Sequence, residues 1–493
     1  MIKIRSIIIT VFICLFQIGL SQESKSIHQI EWEKHKNDAK VLRKPESAKD
    51  IIPLNKVAFE QKSLSHYVFG YLPYWVYNDP PLYFQFDLLT HIALFDFEVN
   101  PATGAIGNPS NWPWTLLINT AHTNGVKVIM CVVEFDNDDI HTIITNPTVK
   151  NNFFEKVKGK IETYNLDGIN IDFEGLHSLD RSNNINPFMA ELTDYVHTNI
   201  GSDKEVSFAG PAVNWSSWNL PGLAASCDYI FIMGYSFWGS WSTTAGPSAP
   251  LVGGSINITK TLTDVNSGYG TVVNNNPEKL ILGVPYYGNK WCTANQSEGS
   301  DALEYIGSKT YANAKQELGS RDLLWSTNYK TSWFTFEENS NYYQTWFDND
   351  SSLGLKYDLA KSKNLKGVGM WALGYDDYHS ELWDLLRDRF FYSPDDLDTS
   401  DGTGQPDKFT LYQNYPNPFN LSTTIDYEIV EADNIELNVY NILGEKIAAL
   451  VNEYQSEGKY SIEFNGIGLV SGTYFYQIKI DTYSEVKKMI LIK

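Results

Sequence analysis

Cysteine is scarce in this sequence, with four residues in 493, and the nine histidines are scattered. A disulfide scaffold is excluded, because removal of an N-terminal leader with Cys14 would leave thiols for one internal bridge at most. We expect Cys131, Cys227 and Cys292 to be mainly buried thiols. No residues stand at metal-ligand spacing and no Gly-rich phosphate loop follows a strand-like run, so we expect no metal, nucleotide or flavin cofactor.

Positive charge is also in short supply: 38 Lys and Arg stand against 59 Asp and Glu, a formal net charge of -21. Because an acidic surface repels phosphate, this balance argues against a nucleic-acid partner. Aromatic residues make up 14% of the chain, and exposed rings stack well on the apolar faces of sugars. The composition therefore favours a neutral polysaccharide as partner.

Beyond the N-terminus, the sequence has no apolar run long enough to cross a bilayer. At the N-terminus itself, Lys3 and Arg5 precede an apolar run from Ile7 to Leu20, which small Ser21 follows. This pattern predicts a secretory signal peptide over residues 1–21, since a spanning helix needs about 20 apolar residues. We expect a secreted or cell-surface protein.

Composition divides the rest of the chain into four stretches. Residues 22–65 are rich in Lys and Glu with few aromatics, which predicts a solvated, loosely packed lead-in of unknown role. Over 66–392, apolar runs alternate with amphipathic stretches, as in parallel strands joined by helices. The spacer 393–408, rich in Asp, Ser, Thr, Gly and Pro, predicts a flexible linker. The tail 409–493 alternates in short β-type runs and predicts a small antiparallel β-sandwich.

The apolar runs of the long middle stretch predict an α/β fold, a (β/α)8 TIM barrel, which needs about 250 residues. The runs are YVFGYLPYW, HIALFDFEV, VKVIMCVVEF, LDGINIDFEG, EVSFAGPAV, YIFIMGYSF, LILGVPYYG and GVGMWALGY. Each has the length of one strand, and polar segments long enough for a helix separate most of them.

The run LDGINIDFEG carries the clearest chemical signal. Strand parity places its apolar residues on one face and Asn170, Asp172 and Glu174 on the other. In a barrel the apolar face packs against helices, so the acidic face points to the axis and Glu174 lies at the C-terminal rim. Two neighbouring carboxylates repel each other, which raises the pKa of one and lets it act as a general acid. The alternative is an acidic strand end that faces water or caps a helix.

This run resembles the DxxDxDxE signature of glycoside hydrolase family 18, the chitinases and their relatives. FGYLPYW resembles the family's first strand, FIMGYSFWGSW with AGPSAPL its MxYD strand and following loop, LGVPYYGNKW its seventh strand and GVGMWALGYDD its eighth. The resemblance covers about Tyr67 to Phe391. It implies hydrolysis of β-1,4 bonds beside N-acetylglucosamine, and the stretch from Trp291 to Trp346 could form the α+β insertion that deepens the cleft in some chitinases.

The resemblance also implies roles for single residues. Glu174 stands at the position of the acid that protonates the leaving oxygen, and Asp172 at that of the aspartate that holds the substrate's acetamido group. In this family the acetamido oxygen is the nucleophile, so catalysis is substrate-assisted and retaining. Tyr235 matches the tyrosine that hydrogen-bonds this oxygen, and Trp371 the tryptophan under the sugar. Further substrate-binding candidates are Asn170, Tyr71, Tyr287, Trp75 and Trp238, with core packing as the alternative for the aromatic ones.

Several positions depart from the family pattern. Asn170 replaces the middle aspartate; its amide can donate a hydrogen bond to Asp172 but cannot take up its charge, so the pH profile should differ. Ser236 replaces the aspartate after the conserved tyrosine, and Asn289 replaces an arginine after the seventh strand. The run from Cys131 to Glu134 replaces the family's Ser-x-Gly-Gly.

These departures leave the substrate open. Besides a chitinase, the sequence is compatible with a peptidoglycan N-acetylglucosaminidase, since Asn at the middle position is a trait associated with both. An endoglycosidase that releases N-glycans shares the strand motif. A non-catalytic chitin-binding lectin is a further alternative, against which the presence of Glu174 argues.

The tail resembles the type A sorting domain of the type IX secretion system. The motifs are YPNPFNLSTTI, VYNILGEKI, SGTYFYQIKI and the closing KKMILIK. This resemblance implies export in two steps, first by the signal peptide and then across the outer membrane by the type IX machinery. The alternative, an immunoglobulin-like carbohydrate-binding module, lacks support because the tail has no evident row of Trp for a flat polysaccharide.

Overall fold

The structure is a computed structural model that describes residues 25–38, 64–77, 84–215, 217–377 and 379–391, and 409–491 apart from positions 413, 415, 418, 442–445 and 481–482. The expected signal peptide over 1–21 and the expected linker over 393–408 lie outside these residues. Within the described ranges, no helix combines the length and the apolar character that a membrane crossing requires.

Strands build both folded parts of the chain. In chain order they are β1 (Tyr67–Pro73), β2 (His91–Glu98), β3 (Lys127–Glu134), β4 (Gly168–Phe173), β5 (Glu205–Pro211), β6 (Tyr229–Met233), β7 (Leu280–Pro285), β8 (Tyr287–Thr293), β9 (Ala302–Thr310), β10 (Leu324–Ser326), β11 (Thr331–Glu338), β12 (Asn341–Phe347), β13 (Gly367–Trp371), β14 (Phe409–Leu411), β15 (Ser422–Ile429), β16 (Asp433–Asn441), β17 (Lys446–Gln455), β18 (Gly458–Asn465), β19 (Gly472–Ile480) and β20 (Tyr483–Leu491). A closed parallel barrel has the order β1-β13-β7-β6-β5-β4-β3-β2. Its strands are the apolar runs of the sequence, so the predicted TIM barrel is confirmed.

Helices alternate with the strands, and most of them pack around the outside of the barrel. They are α1 (Ile27–His35), α2 (Thr115–Thr123), α3 (Asn137–Thr145), α4 (Pro147–Tyr164), α5 (Asp180–Asn183), α6 (Ile185–Asn199), α7 (Leu220–Ser226), α8 (Ile258–Thr263), α9 (Gly270–Asn275), α10 (Tyr311–Leu318), α11 (Asp350–Ser362) and α12 (Glu381–Phe390). In α4 the Asn146 side chain caps the first turn, Pro147 begins the helix and Asn165 ends it in the left-handed region. Phe153 of α4 and Leu192 of α6 join the strands in one core. The thiols of Cys131, Cys227 and Cys292 are free and buried, as predicted.

An ion cluster closes the end of the barrel where the strands begin. Glu205, the first residue of β5, lies 2.8 Å from His91 Nε2, accepts a hydrogen bond from the Tyr229 hydroxyl at 3.0 Å and pairs with Lys127. Burial works to raise the pKa of Glu205, but His91 and Lys127 outweigh it and hold that pKa well below its usual range. The cluster lies at the opposite end from the strand C-termini, so we assign it to stability.

Glu205→Gln should therefore lower the free energy of unfolding of the barrel by about 3 kcal/mol near neutral pH, because it leaves the partly buried Lys127 without its counter-charge and weakens the contacts to His91 and Tyr229. Since the folded pKa is lowered, this stabilisation is complete above the unfolded pKa of about 4.3 and is lost as the pH falls through the folded value. Denaturant unfolding at several pH values should show the difference between the two chains shrinking in acid. Glu162→Gln, at an exposed position beside Lys158, is the matched control; an equal loss there contradicts the prediction.

Between β7 and β13 the chain forms an α+β insertion, Tyr287–Phe347, of the kind that the sequence suggested. Its antiparallel sheet has the order β10-β11-β12-β8-β9, and α10 packs beside it. Trp291, Trp333 and Trp346 form its small core. Because the insertion begins directly after β7, it rises from the C-terminal mouth of the barrel.

The C-terminal part has two antiparallel sheets, ordered β14-β15-β18 and β17-β16-β19-β20. Buried side chains of both sheets, such as Ile425 and Tyr427 of one and Leu437 and Ile478 of the other, share one core. Alternation of buried and exposed residues along β15 follows the period of two that the sequence displayed. The predicted antiparallel β-sandwich is confirmed.

The lead-in differs from its prediction where it is described. Residues 27–35 form α1, and its side chains Ile27, His28 and Glu31 are buried. The prediction of a solvated, loosely packed segment is wrong for α1. Polar side chains can be buried when the fold supplies hydrogen-bond partners for them. The barrel mouth offers hydrogen-bond partners to both polar side chains, His28 and Glu31.

Candidate active site

Two carboxyl groups lie at the C-terminal end of β4. Asp172 is fully buried, and Glu174, the first residue after the strand, keeps 12% of its side chain exposed. The Glu174 N–H donates to the Glu134 carbonyl at 3.0 Å, which extends the ladder between β4 and β3 past the strand end. This bond holds Glu174 in the extended backbone of the strand, with its side chain on the same side as that of Asp172.

The carboxyl pair is arranged to hold a proton. Burial raises the pKa of Asp172. Burial, together with the negative charge of Asp172, raises the pKa of Glu174. Because two such groups in a desolvated site do not both ionise readily, the pair titrates as a unit and retains one proton toward neutral pH. Glu174 is the more exposed partner and is the one that could deliver this proton to a ligand.

The nearest partners of the pair come from the N-terminal segment. The Ser26 hydroxyl donates to Glu174 Oε1 at 2.8 Å. His28 Nδ1 lies 2.7 Å from Asp172 Oδ2, and His28 Nε2 lies 2.7 Å from the Tyr235 hydroxyl. Burial lowers the pKa of His28 to about 4, so the ring is neutral near pH 7. When Asp172 is ionised, the neutral form that satisfies both contacts carries its proton on Nδ1, donates to Asp172 and accepts from Tyr235.

Aromatic side chains complete the surroundings of His28. Trp371, the last residue of β13, is fully buried and stacks on the imidazole, with ring centroids 3.8 Å apart and planes 29° apart. Tyr71 and Phe95 meet the same ring edge-on, with centroids at 5.2 and 5.8 Å. Glu174, Asp172, Tyr235 and Trp371 are therefore brought together around one ring from α1.

Asn170 stands two residues before Asp172 on the same face of β4 and therefore lies deeper in the barrel. Its Oδ1 accepts from the Tyr71 hydroxyl at 2.8 Å, and its Nδ2 donates to Ser207 Oγ at 2.9 Å. The hydrogen bond to Asp172 that the sequence suggested is thus replaced by one to Ser207, because Asn170 and Ser207 are register partners on β4 and β5. Asn170 and Tyr71 are fully buried and support the floor of the site.

Tyr287 lies behind Tyr235, with ring centroids 6.1 Å apart. Its hydroxyl accepts from Ser248 Oγ at 2.9 Å and lies 3.1 Å from Ser236 Oγ. Ser236, which stands where the family pattern has an aspartate, is therefore directed to Tyr287. These contacts make Tyr287 a support for Tyr235 in this arrangement.

The remaining aromatic candidates divide by location. Trp75 stacks on His35 of α1, with centroids 4.5 Å apart, whereas Trp238 packs on Tyr329 of the insertion at 5.3 Å. Trp75 is thus beside the segment that fills the mouth. Trp238 lies where the loop after β6 meets the insertion, and its carbonyl accepts from the Asn289 side chain at 2.9 Å.

His28, Asp172 and Glu174 also present ligand-type atoms that lie within 4.8 Å of one another. The 2.7 Å separation between His28 Nδ1 and Asp172 Oδ2 is that of a direct hydrogen bond. Hydrogen bonding therefore accounts for this cluster without a metal ion.

Ser26 and His28 are site residues that sequence reasoning missed. One signal was present: Ser26 followed three positions later by Gln29 is a helix-start pattern, and in the structure Ser26 caps α1 by accepting from the Gln29 N–H. That pattern predicts a helix. It does not predict that the helix lies in the barrel mouth.

A closed parallel barrel with a carboxyl pair at its C-terminal mouth is the arrangement typical of TIM-barrel enzymes. Residues 67–376, well over half of the chain, match the glycosyl hydrolases family 18, and the chain belongs to this family. Residues 413–493 match the secretion system C-terminal sorting domain.

Each individual relative shares only a low sequence identity with this chain. Human di-N-acetylchitobiase is 25% identical over 304 residues, which cover 54% of this chain and 74% of that protein. The cortical fragment-lytic enzyme of Bacillus subtilis is 23% identical over 317 residues, covering 61% and 68%. A family 18 chitinase structure from Cycas revoluta has a TM-score of 0.58 at 20% identity and covers 66% of this chain and 99% of that one, which shows a shared fold.

Proposed function

We propose that this protein is a secreted glycosidase that cuts β-1,4 bonds beside N-acetylglucosamine, in chitin or its oligosaccharides, with Glu174 as general acid and base. The observation that carries the proposal is the position of Glu174 at the barrel rim, next to the buried Asp172 and with its pKa raised. A carboxyl group that keeps its proton near neutral pH is what protonation of a glycosidic oxygen requires.

Both carboxyl groups come from the end of one strand, which favours substrate-assisted chemistry. Two carboxylates that attack and protonate a sugar flank the scissile bond from opposite sides, about 5 Å or more apart. Residues two apart on one strand lie on the same side instead. The nucleophile is then the carbonyl oxygen of the substrate's own acetamido group.

In the first step, Glu174 gives its proton to the glycosidic oxygen as the bond from that oxygen to C1 breaks. The acetamido oxygen forms a bond to C1, and the resulting oxazolinium ion carries the positive charge. The Asp172 carboxylate accepts a hydrogen bond from the acetamido N–H and stabilises this charge. The Tyr235 hydroxyl donates a hydrogen bond to the acetamido oxygen. Trp371 supports the sugar ring.

In the second step, water attacks C1 and gives a proton to Glu174, now a carboxylate. The bond from C1 to the acetamido oxygen breaks, which restores the acetamido group and leaves the product with retained configuration. Glu174 is thereby protonated again for the next cycle, so atoms and charge balance over the two steps.

A peptidoglycan N-acetylglucosaminidase is the second candidate. A protein named for lysis of cortical fragments and one named for chitobiose cleavage are similarly distant from this chain, at 23% and 25% identity. The same acetamido chemistry serves both substrates, as it would serve release of N-glycans. The presence of Glu174 argues against a non-catalytic lectin.

The sorting-domain match supports the proposed location. We propose that the C-terminal β-sandwich engages the type IX secretion machinery and that the protein is exported to the medium or the cell surface. The β-sandwich has its own hydrophobic core, so it is built as a unit that can be recognised apart from the barrel.

Product analysis tests the proposed activity. The purified protein is incubated separately with chitin oligosaccharides and with peptidoglycan, and Glu174→Gln is the control. Soluble N-acetylglucosamine oligomers from chitin support the chitinase, and release from peptidoglycan alone supports the second candidate. Product from neither substrate, also when His28 of α1 is replaced by alanine, contradicts both of these candidates and leaves release of N-glycans as the remaining glycosidase activity.

A further inference from the structure

The N-terminal segment fills the position that the proposed mechanism gives to a sugar. His28 is fully buried, between the floor of the barrel mouth and the rest of α1. It contacts Asp172, Tyr235 and Trp371, and Ser26 holds Glu174. A ligand that reached these four side chains would overlap Ser26 and His28.

We propose that residues 25–38 are an intramolecular inhibitor, in which His28 imitates the acetamido group of the substrate and the enzyme is active only when α1 leaves the mouth. The identity of the imitated group rests on the proposed function. The occupation of the site rests on geometry alone.

The imitation is specific in its hydrogen bonds. An acetamido group offers one N–H donor and one carbonyl acceptor. With Asp172 ionised, the neutral His28 ring offers the same pair, since Nδ1–H then donates to Asp172 and Nε2 accepts from Tyr235. The flat imidazole stacks on Trp371 as the face of a sugar would. Both ring nitrogens are satisfied, so burial of this polar side chain costs little.

Further contacts fix α1 along the mouth. Glu31 Oε1 accepts from Ser308 Oγ of the insertion at 2.9 Å. Trp32 Nε1 donates to Glu98 Oε1 at 3.2 Å, and its ring packs on Phe135 at 5.2 Å. The position of α1 is therefore fixed by contacts to three elements, which are β2, the loop after β3 and β9 of the insertion.

At the outer end of α1, the Tyr74 hydroxyl donates to the His35 carbonyl at 2.6 Å, and Trp75 stacks on the His35 ring. A groove beside the helix is lined partly by α1 itself, through Glu31 and His35, and partly by Tyr375 of the barrel. A ligand lying in this groove would therefore contact α1.

The energetics allow release. A nine-residue helix is marginal in water by itself, so α1 persists only while it is docked. Because the segment belongs to the same chain, its docking is intramolecular, and modest contacts suffice to keep it bound. The observed rate of hydrolysis is then proportional to the fraction of molecules in which α1 has left the barrel mouth.

His28→Ala in the full-length protein tests the proposal. It removes both hydrogen bonds and the stacked ring, so we expect the initial rate on a fluorogenic N-acetylchitobioside to rise at least about tenfold. Asn37→Ala, at an exposed position of the same segment, is the matched control and should leave the rate unchanged. Hydrogen exchange should show faster exchange of the amides of residues 27–35 in the first variant only.

A binding measurement separates this proposal from the proposed activity. With Glu174→Gln in the background, titration with tri-N-acetylchitotriose should show at least about tenfold tighter binding when His28→Ala is added. Tighter binding without hydrolysis by any variant would uphold the inhibitor and reject the glycosidase. Equal rates and equal affinities, in chains whose 27–35 amides exchange faster, would overturn the inhibitor.

Discussion

Glu174→Gln should reduce hydrolysis by about 100- to 10,000-fold, because glutamine has no acidic proton to give to the leaving oxygen. The fold should persist, since the Gln side chain has the same shape and can still accept from the Ser26 hydroxyl. The measurement is the turnover rate on the best oligosaccharide of the product analysis, in the parent chain and in the His28→Ala background. Unchanged thermal unfolding should accompany the loss.

Glu134→Gln is the matched control for this loss. Glu134 ends the neighbouring strand β3, and its Oε1 accepts from the backbone N–H groups of Phe135 and Asp136, which a glutamine oxygen can also do. Its rate should stay close to that of the parent. Substantial turnover by the Glu174 variant, or an equal loss in both variants, would show that another group is the acid.

Asp172→Asn should lower the rate by about 100-fold or more, because a neutral amide cannot stabilise the positive oxazolinium ion as a carboxylate does. It should also move the alkaline limit of activity. Burial and the charge of Asp172 both raise the pKa of Glu174, so removal of this charge lowers that pKa part of the way toward the ordinary value. Because the acid must be protonated, activity should then disappear at lower pH than in the parent.

The pH dependence of kcat/KM, measured for the His28→Ala chain with and without Asp172→Asn, gives this shift. Asp136→Asn is the control: Asp136 caps α3 by accepting from two backbone N–H groups, and asparagine caps equally well. Its profile should match that of the parent. An alkaline limit that stays in place after Asp172→Asn would mean that the two carboxyl groups do not titrate as a pair.

Periodicity was enough to predict the barrel and the sandwich. A strand that is buried on both faces must be apolar over its whole length, as VKVIMCVVEF is, and a strand with one wet face must alternate, as TIDYEIV does. These patterns are local, so the sequence displays them. The carboxyl groups at the end of β4 were found in the same way, since their direction follows from strand parity.

The surroundings of Asn170 needed the structure. Its amide donates to Ser207, which is 37 positions away in sequence and becomes a neighbour through the register of β4 and β5. The directions of Ser236 and Tyr287 depend likewise on each other and on Ser248. Side-chain partners across strands depend on register, which no run of residues reveals by itself.

The sequence by itself determined the barrel, the β-sandwich, the family and the positions of Glu174 and Asp172, because each depends on spacing along one strand or on contiguous motifs. The tertiary structure alone decided what lies against these two carboxyl groups. Ser26 and His28 stand 148 and 144 positions before their partners Glu174 and Asp172, in a polar stretch that suggested only solvent. Polar contacts between distant segments leave no periodic trace, so the folded chain had to bring them together before they could be recognised.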